Sequence, residues 1–394
     1  MSQTSAAATQ HELQVRRRKI AGVLKGEPWV YPNAVIDGPA TAGLVRVVDD
    51  GGKHVGWADW NPDAPVRARM LSRATEWQGD LTLIHQRIEA AFNRRLRCGY
   101  SLQGSAMRLV NGEGDGLPGL VIDLFGTSLV CDFYSLGMWR RREHIEAMLT
   151  HAFSDYSRYF RVGAEAAKRE NMQAVEPEEG MLEYGENGLL FEVTIGSDQK
   201  SGAYLDQRDN RRLVAHWASG RRVLDLFCYH ANFALCCLGA GASEAVAIDS
   251  SELALMAAQA NADRNGFPLE VRQANVFDAL DDLAGEEHFD LVICDPPKLA
   301  PRRRDKARAL GAYRFLIDRC LRLLEPGGIL LVSSCSQAIG TDDLREIIAQ
   351  IGSKKRLALD VLAETTQPSD HPWPVGFLAG RYLASVAVEL RGEA

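Results

Sequence analysis

Three aspartates stand at the ends of apolar runs. Asp225 closes VLD, Asp249 closes VAID, and Asp295 closes LVICD, which continues as PPKLAPRRR. A carboxylate accepts two hydrogen bonds from vicinal hydroxyls without needing a proton. A nucleoside-binding sheet places such an acid on the ribose roughly two dozen residues after its first strand, the spacing between Asp225 and Asp249. One aspartate at a strand end is commonly a turn former or helix cap, but two on successive strands favour the binding role. Asp295 differs, because two prolines follow it. Proline lacks the N–H that a ladder needs and fixes φ, so the strand stops and the acid is held rigidly at the sheet edge. Strand alternation then puts Cys294 on the opposite face, packed inward.

The loop after Asp225, FCYHAN, lacks the G-x-G-x-x-G phosphate cradle, and the chain has no G-x-x-x-x-G-K-[ST] run. Dinucleotide and P-loop readings are therefore weak. A nucleoside cofactor without phosphates remains, and S-adenosylmethionine fits that description.

The elements that must position these acids follow from periodicity. From Arg221 onward, RRVLDLFCY, EAVAIDSS, LEVRQANVF, FDLVICDPP and GGILLVSSCS alternate with helical segments. Near-continuous apolar strands joined by helices predict a parallel sheet covered on both faces, an α/β doubly wound or Rossmann-like domain. Ligands of such sheets bind beyond the C-terminal strand ends where strand order reverses. Upstream, the first ~90 residues alternate short apolar runs with turn signals such as Asp-Gly-Pro and Asp-Asp-Gly-Gly, a small β-rich unit. DLTLIHQRIEAAFNRRLR, Asp80 to Arg97, reads as an amphipathic helix leaving it. Strand, strand, strand, helix, strand then predicts an α+β middle domain, closed by the hairpin-like MLEYGENGLLFEVTIG. The expected boundaries are a disordered tail over 1–15, the β-rich unit over 16–92, the middle domain over 93–198 and the sheet domain over 199–394.

With 394 residues, the chain is long enough for several cores. No apolar run reaches the ~18 residues of a membrane span, and MSQTSAAATQHELQVRRRK lacks the apolar centre of a secretory signal. A cytoplasmic protein with no membrane partner is expected. The eight cysteines lack metal-ligand spacing and lie mostly in apolar stretches, so neither a metal site nor a disulfide framework is expected. The net charge of −7 argues against indiscriminate nucleic-acid binding, yet arginines cluster at 16–18, 94–97, 140–142 and 302–304.

Taken together, SDQKSGAYLDQRDNR, VLDLF, VAIDSS, DPPK and GGILLVSSCS resemble the bacterial large-subunit ribosomal RNA cytosine-C5 methyltransferases, which are class I and S-adenosylmethionine-dependent. LVNGEGDGLPGLVIDLFG is similar to that family's middle domain, and PWVYPNAV and APVRARMLS to its N-terminal PUA domain. The resemblance covers nearly the whole chain. It implies that Cys335 in SSCS adds to C6 of cytosine and that Asp295 hydrogen-bonds the N3/N4 edge of the base. It assigns Lys200, Tyr204 and Gln207 to the methionine end of S-adenosylmethionine. Asp225, Phe227, Tyr229, Asp249, Asn275 and Asp295 complete the cofactor set. Lys298, Arg302, Arg303 and Arg304 are expected to meet RNA phosphates as the base is extruded, with Arg16, Arg17, Arg67 and Arg69 as phosphate contacts of the PUA-like unit. The implied partner is 23S ribosomal RNA, unassembled or partly folded, and a homodimer is left open. DHPWPVGF resembles the family's DHP segment, where a structural role is expected for His371.

Two departures stand out. Where the family's first loop offers glycines, this chain has His230, Ala231 and Asn232, whose Cβ atoms take room beside the cofactor. Asn275 replaces the acid expected to receive the adenine amino group, although an Asn oxygen accepts the same bond. The alternatives are a methyltransferase acting on another RNA or base, and a catalytically silent RNA-binding protein.

Overall fold

The computed structural model describes residues 11–77, 80–196, 203–283 and 287–393. Within these, 11–180, 195–196 and 369–380 form one compact unit, and 181–194, 203–368 and 381–393 form another.

In the first unit, β1 (Glu12–Val15), β2 (Trp29–Val30), β3 (Val35–Asp37), β4 (Gly43–Asp49), β5 (His54–Trp60) and β6 (Ala68–Ser72) make a sheet in the order β2-β6-β5-β4-β1-β3, with α1 (Ala21–Lys25) between β1 and β2. The expected tail over 1–15 is corrected here. Leu13 and Val15 alternate inward and are fully buried, and β1 pairs with both β4 and β3. Those two apolar side chains make the segment a core strand; residues 1–10 lie outside the described set.

The helix α2 (Asp80–Arg97) forms over the residues expected. Its Ile84, Ile88 and Ala91 pack with the next sheet, so the change of core falls before this helix and not at residue 92. That sheet runs β10-β9-β8-β7, with β7 (Ala106–Asn111), β8 (Leu120–Phe125) and β9 (Ser128–Phe133) as a meander. β10 (Ser157–Arg161) lies parallel to β9 after a crossover through α3 (Leu136–Arg140) and α4 (Arg142–Ala152); α5 (Ala164–Glu170) follows. This is the α+β order read from the sequence.

The segment 369–380 also belongs to this unit, a second correction. Buried Arg95 pairs with Asp115 at 2.7 and 2.8 Å and donates to the Asp370 carbonyl at 2.6 Å. Asp370 Oδ2 accepts from the Arg108 backbone at 2.9 Å, and Oδ1 lies 2.8 Å from His371 Nδ1. His371 is thus a buried structural histidine.

In the second unit the hairpin β11 (Gly180–Glu186) and β12 (Leu189–Ile195) packs against the helices of that unit's own sheet, not the middle domain. Glu186 grips Arg211 at 2.5 and 2.6 Å, and Asn261 accepts from the Glu192 backbone at 2.8 Å. Neither charge of the first pair is exposed to water, and a buried ion needs a partner close by. The sheet contains β13 (Arg222–Leu226), β14 (Glu244–Asp249), β15 (Glu270–Gln273), β16 (Phe289–Cys294), β17 (Leu324–Ser334), β18 (Leu357–Thr365) and β19 (Ala384–Glu393). Their order is β15-β14-β13-β16-β17-β19-β18. The first five are the parallel strands expected; β18 and β19, antiparallel, extend the edge beyond them. Helices α6 (Arg208–Trp217), α7 (Asn232–Gly239), α8 (Glu252–Asn265), α9 (Val276–Leu283), α10 (Lys306–Arg322) and α11 (Thr341–Lys355) complete the unit. Strand order reverses between β13 and β16, which places a ligand crevice at their C-terminal ends.

Arg356 ends α11 at φ 58° with its N–H bonded to the Gly352 and Ser353 carbonyls. A Cβ is strained in that left-handed position. Arg356→Gly is therefore expected to raise stability by roughly 0.5–1 kcal/mol, read as a higher denaturant midpoint with unchanged slope. No described helix is long and apolar enough to cross a membrane.

Candidate active site

The ends of β13, β14, β16 and β17 converge at the reversal. Asp225 is 1 % exposed. Its Oδ2 accepts from the Ala234 N–H at 3.0 Å, at the start of α7. Oδ1 is buried with no hydrogen-bond partner among the described residues. Burial first, with the nearby charges of Asp295 and Asp249, pushes this carboxyl up to about 8. Asp249, the last residue of β14, keeps its carboxylate at the surface of the crevice. Its Oδ2 accepts from the Tyr229 N–H at 3.0 Å and its Oδ1 from the Ser251 N–H at 2.9 Å. Each oxygen retains a lone pair, which suits vicinal hydroxyls.

The raised Asp225 has a consequence for pH. The ordinary value near 3.8 becomes about 8 in the fold, so the folded state keeps a proton that the unfolded chain releases above about pH 4. The stability held by the neutral carboxyl is complete below that pH and is lost as pH rises toward 8. Thermal melts of cofactor-stripped protein are expected to fall across this window for the wild type relative to Asp225→Asn, which cannot ionise. Parallel curves would contradict the assignment.

Between the first two acids the chain makes an unusual loop. Phe227, Tyr229 and Ala231 have φ of 59°, 51° and 54°, the left-handed region that side chains with a Cβ avoid. Of His230, Ala231 and Asn232, whose Cβ atoms were expected to take room beside the cofactor, Ala231 carries this strain, which surrounding contacts must hold. The Tyr229 ring stacks on His230 at 3.8 Å and 10°, Tyr204 meets it edge-on at 5.2 Å, and Ala231 N–H bonds the Cys228 carbonyl at 2.7 Å. His230 is desolvated and pushed down to about 4, a neutral ring at physiological pH. Phe227 packs against Phe277 at 6.0 Å as an apolar wall.

The remaining cofactor expectations divide. Asn275 is exposed before α9, and its Oδ1 accepts from the Phe277 N–H at 3.0 Å, which leaves a second lone pair outward. Tyr204, itself left-handed at φ 43°, is 39 % exposed. Its carbonyl accepts from buried Arg211 at 3.1 Å. Burial, followed by the charges of Asp295, Asp206, Cys335 and Asp249, raises its phenol to about 12, so it stays a donor. Gln207 is turned inward at 3 % exposure, and its Oε1 accepts from Asn210 Nδ2 at 2.6 Å. That oxygen serves the fold rather than the crevice. Lys200 lies outside the described residues.

Asp295 and Cys335 directly follow the adjacent strands β16 and β17, where Cys294 faces Val332 in register. Cys294 is fully buried, as are the three residues before it, while Asp295 and Cys335 are partly exposed. The two loops are tied together. Ser336 Oγ accepts from the Ala300 N–H at 3.2 Å, and Ser334 Oγ accepts from the Ser336 N–H at 3.3 Å. Buried Tyr313 of α10 lies against Ser334 beside both Cys335 and Asp295, and burial raises its phenol. Below them, Asn210 donates to Ser385 Oγ at 3.0 Å, Ser385 meets Ser333 Oγ at 2.8 Å, and Thr365 donates to Asn210 at 2.5 Å. This buried polar chain joins the segment bearing Tyr204 and Gln207 to the strand that carries the thiol. Sequence reasoning missed it; a polar Asn inside the inward face of α6 was the available signal.

Lys298, Arg302, Arg303 and Arg304 are all exposed beyond Asp295, an unobstructed cationic rim. The cations of the first unit are less available. Arg16 donates to the Asn33 and Val35 carbonyls, and Arg17 bridges Asp49 at 2.7 Å. Arg67 is half-buried, with one guanidinium nitrogen sequestered. Arg69 is a correction: only 9 % exposed, it pairs with buried Glu170 at 2.7 Å, and a charge so neutralised does not meet a phosphate.

The profile of the S-adenosylmethionine-dependent methyltransferase family matches residues 162–372, and that of the PUA-like domain matches residues 13–73. Ribosomal RNA large subunit methyltransferase I of Tolumonas auensis is 33 % identical over 391 residues, covering 95 % of this chain and 98 % of its own. The protein of the same name from Erwinia tasmaniensis is 32 % identical over 380 residues, with 93 % and 96 % covered. Among solved structures, SMU.776, described as a methyltransferase and crystallised with SAH, superposes with a TM-score of 0.82 at 20 % identity. It covers 96 % of this chain and 99 % of its own. A Streptococcus mutans chain described as a SAM-dependent methyltransferase reaches 0.81 over the same shares, also at 20 %. At that identity the likeness speaks to the fold.

Proposed function

From the premise that the chain belongs to the ribosomal RNA large subunit methyltransferase I family, which is S-adenosylmethionine-dependent, we propose that it methylates C5 of a cytosine in 23S ribosomal RNA through a covalent adduct to Cys335. The observation that carries the reading is the placement of a partly exposed thiol and an acid at the ends of neighbouring strands beside the reversal point.

The crevice fits the cofactor. Asp249 offers two backbone-anchored oxygens to the ribose, Asn275 a lone pair to the adenine amino group, and Phe227 and Tyr229 apolar walls. The buried unpartnered oxygen of Asp225 suits the ammonium end, and Tyr204 covers that end. S-adenosylmethionine supplies an electrophilic sulfonium methyl group when bound.

The chain's own residues do the rest. C5 of cytosine is a poor nucleophile. The Cys335 thiolate forms a bond to C6, and the displaced electron pair moves into the ring, making C5 enamine-like. Asp295, as a carboxylic acid, donates to N3 and stabilises the negative charge that develops there. After methylation a base takes the C5 proton, the electron pair re-forms the double bond and the C6–S bond breaks. Lys298 and Arg302 to Arg304 offer positive charge to the backbone of a flipped nucleotide. On this reading the enzyme works in the cytoplasm, where ribosomal RNA is the substrate.

Mass-spectrometric mapping of 23S ribosomal RNA from cells with and without the protein tests this. One 5-methylcytosine is expected to disappear with the gene and return on incubation with protein and S-adenosylmethionine. An unchanged 5-methylcytosine profile beside the loss of another methylated base would reassign the substrate.

A further inference from the structure

A crevice of about 440 Å³ opens in the first unit between the β-rich sheet and the α3–α4 crossover. Leu44, Leu81 and Leu136 give it apolar walls, and Arg140 and His144 give it polar groups. Its two acids are already matched. Asp59 is bound by Arg141 through two bonds of 2.9 Å, and Glu143 pairs with Arg142 at 2.9 Å. Arg140 is exposed, donates one bond to the Ala42 carbonyl at 2.7 Å and pairs with no carboxylate among the described residues. A guanidinium has five N–H donors in a plane, so most of its fork remains for a ligand. On the other side His144 lines the crevice with its imidazole ring, whose Nε2 is shielded from solvent, so the ring and not that nitrogen faces an occupant.

A slot with leucine walls, an imidazole ring on one side and a planar cation at the rim matches a nucleotide. The flat faces of a base lie against the leucines and the His144 ring, and its phosphate meets the Arg140 guanidinium. The volume lies within the range of small-ligand pockets. An acidic peptide fits less well, because one unmatched cation offers it little and the leucine walls offer its carboxylates nothing.

We propose that this crevice holds an unstacked nucleotide of single-stranded RNA, a second RNA-binding position in the unit that carries no part of the catalytic crevice. It requires an RNA substrate but is independent of whether the methylated atom is cytosine C5.

The test is fluorescence anisotropy with the full-length protein, no added cofactor and a short single-stranded oligoribonucleotide. Arg140→Ala is expected to weaken binding about tenfold and to reduce the slope of log affinity against log salt by about one. Leu81→Trp fills the slot without altering charge, and Leu81 is 44 % exposed, so the larger ring enters without opening a core. It should weaken binding by a similar factor while the melting temperature holds. Lys168→Ala, an exposed cation on α5, should do neither. Wild-type affinity in Leu81→Trp, or equal losses in Arg140→Ala and Lys168→Ala, would overturn the proposal. So would a polyglutamate peptide displacing the RNA as well as unlabelled RNA does.

Discussion

Cys335→Ala is expected to lose methyl transfer by at least about a thousandfold, because removing a nucleophile removes the covalent route and not merely a contact. Cofactor affinity, measured by titration calorimetry, should be unchanged. The thiol is partly exposed at a strand end, and the contacts that shape the cofactor loop come from Asp249, Tyr204 and His230. Cys294, on the neighbouring strand but fully buried in the core, cannot substitute. Alanine there should leave turnover in place. If Cys335→Ala retained turnover, the covalent step would be wrong even though methylation itself stood.

Asp295→Asn is expected to lower kcat by about a hundred- to a thousandfold with a small change in KM for RNA, since the acid's contribution is greatest where charge develops on the ring. Asparagine keeps the shape and one hydrogen bond but cannot release a proton to N3. The prolines behind it should hold the side chain in place, so a large rise in KM with normal kcat would instead make Asp295 a binding residue.

Much of this arrangement was legible in the sequence because it rests on local signals. Near-continuous apolar runs marked the five parallel strands, the double proline marked the end of β16, and Cys294 packs into the core while Asp295 just beyond it stays partly exposed. What was not legible depended on contacts between distant segments. β1 looked like tail because four residues carry little periodicity; only pairing with β4 and β3 makes them a strand. The hairpin β11–β12 reads the same whichever core it joins, and the choice is made by Glu186 meeting Arg211. Arg69 and the exposed Arg302 are alike as letters; Glu170, about a hundred residues further along the chain, neutralises the first and leaves the second open to an anion. Gln207 and Asn210 sit in a charged-looking segment yet form part of the buried chain leading to Ser333.

The most direct measurement of the central claim uses a 23S ribosomal RNA fragment carrying 5-fluorocytosine. Fluorine at C5 leaves no proton for the final elimination, so a thiol that has bonded to C6 cannot depart. Digestion and tandem mass spectrometry should then find a methylated fluoropyrimidine attached to the peptide containing Cys335. An adduct on another residue, or efficient methylation of the unmodified fragment with no trapped species from the fluorinated one, would contradict it.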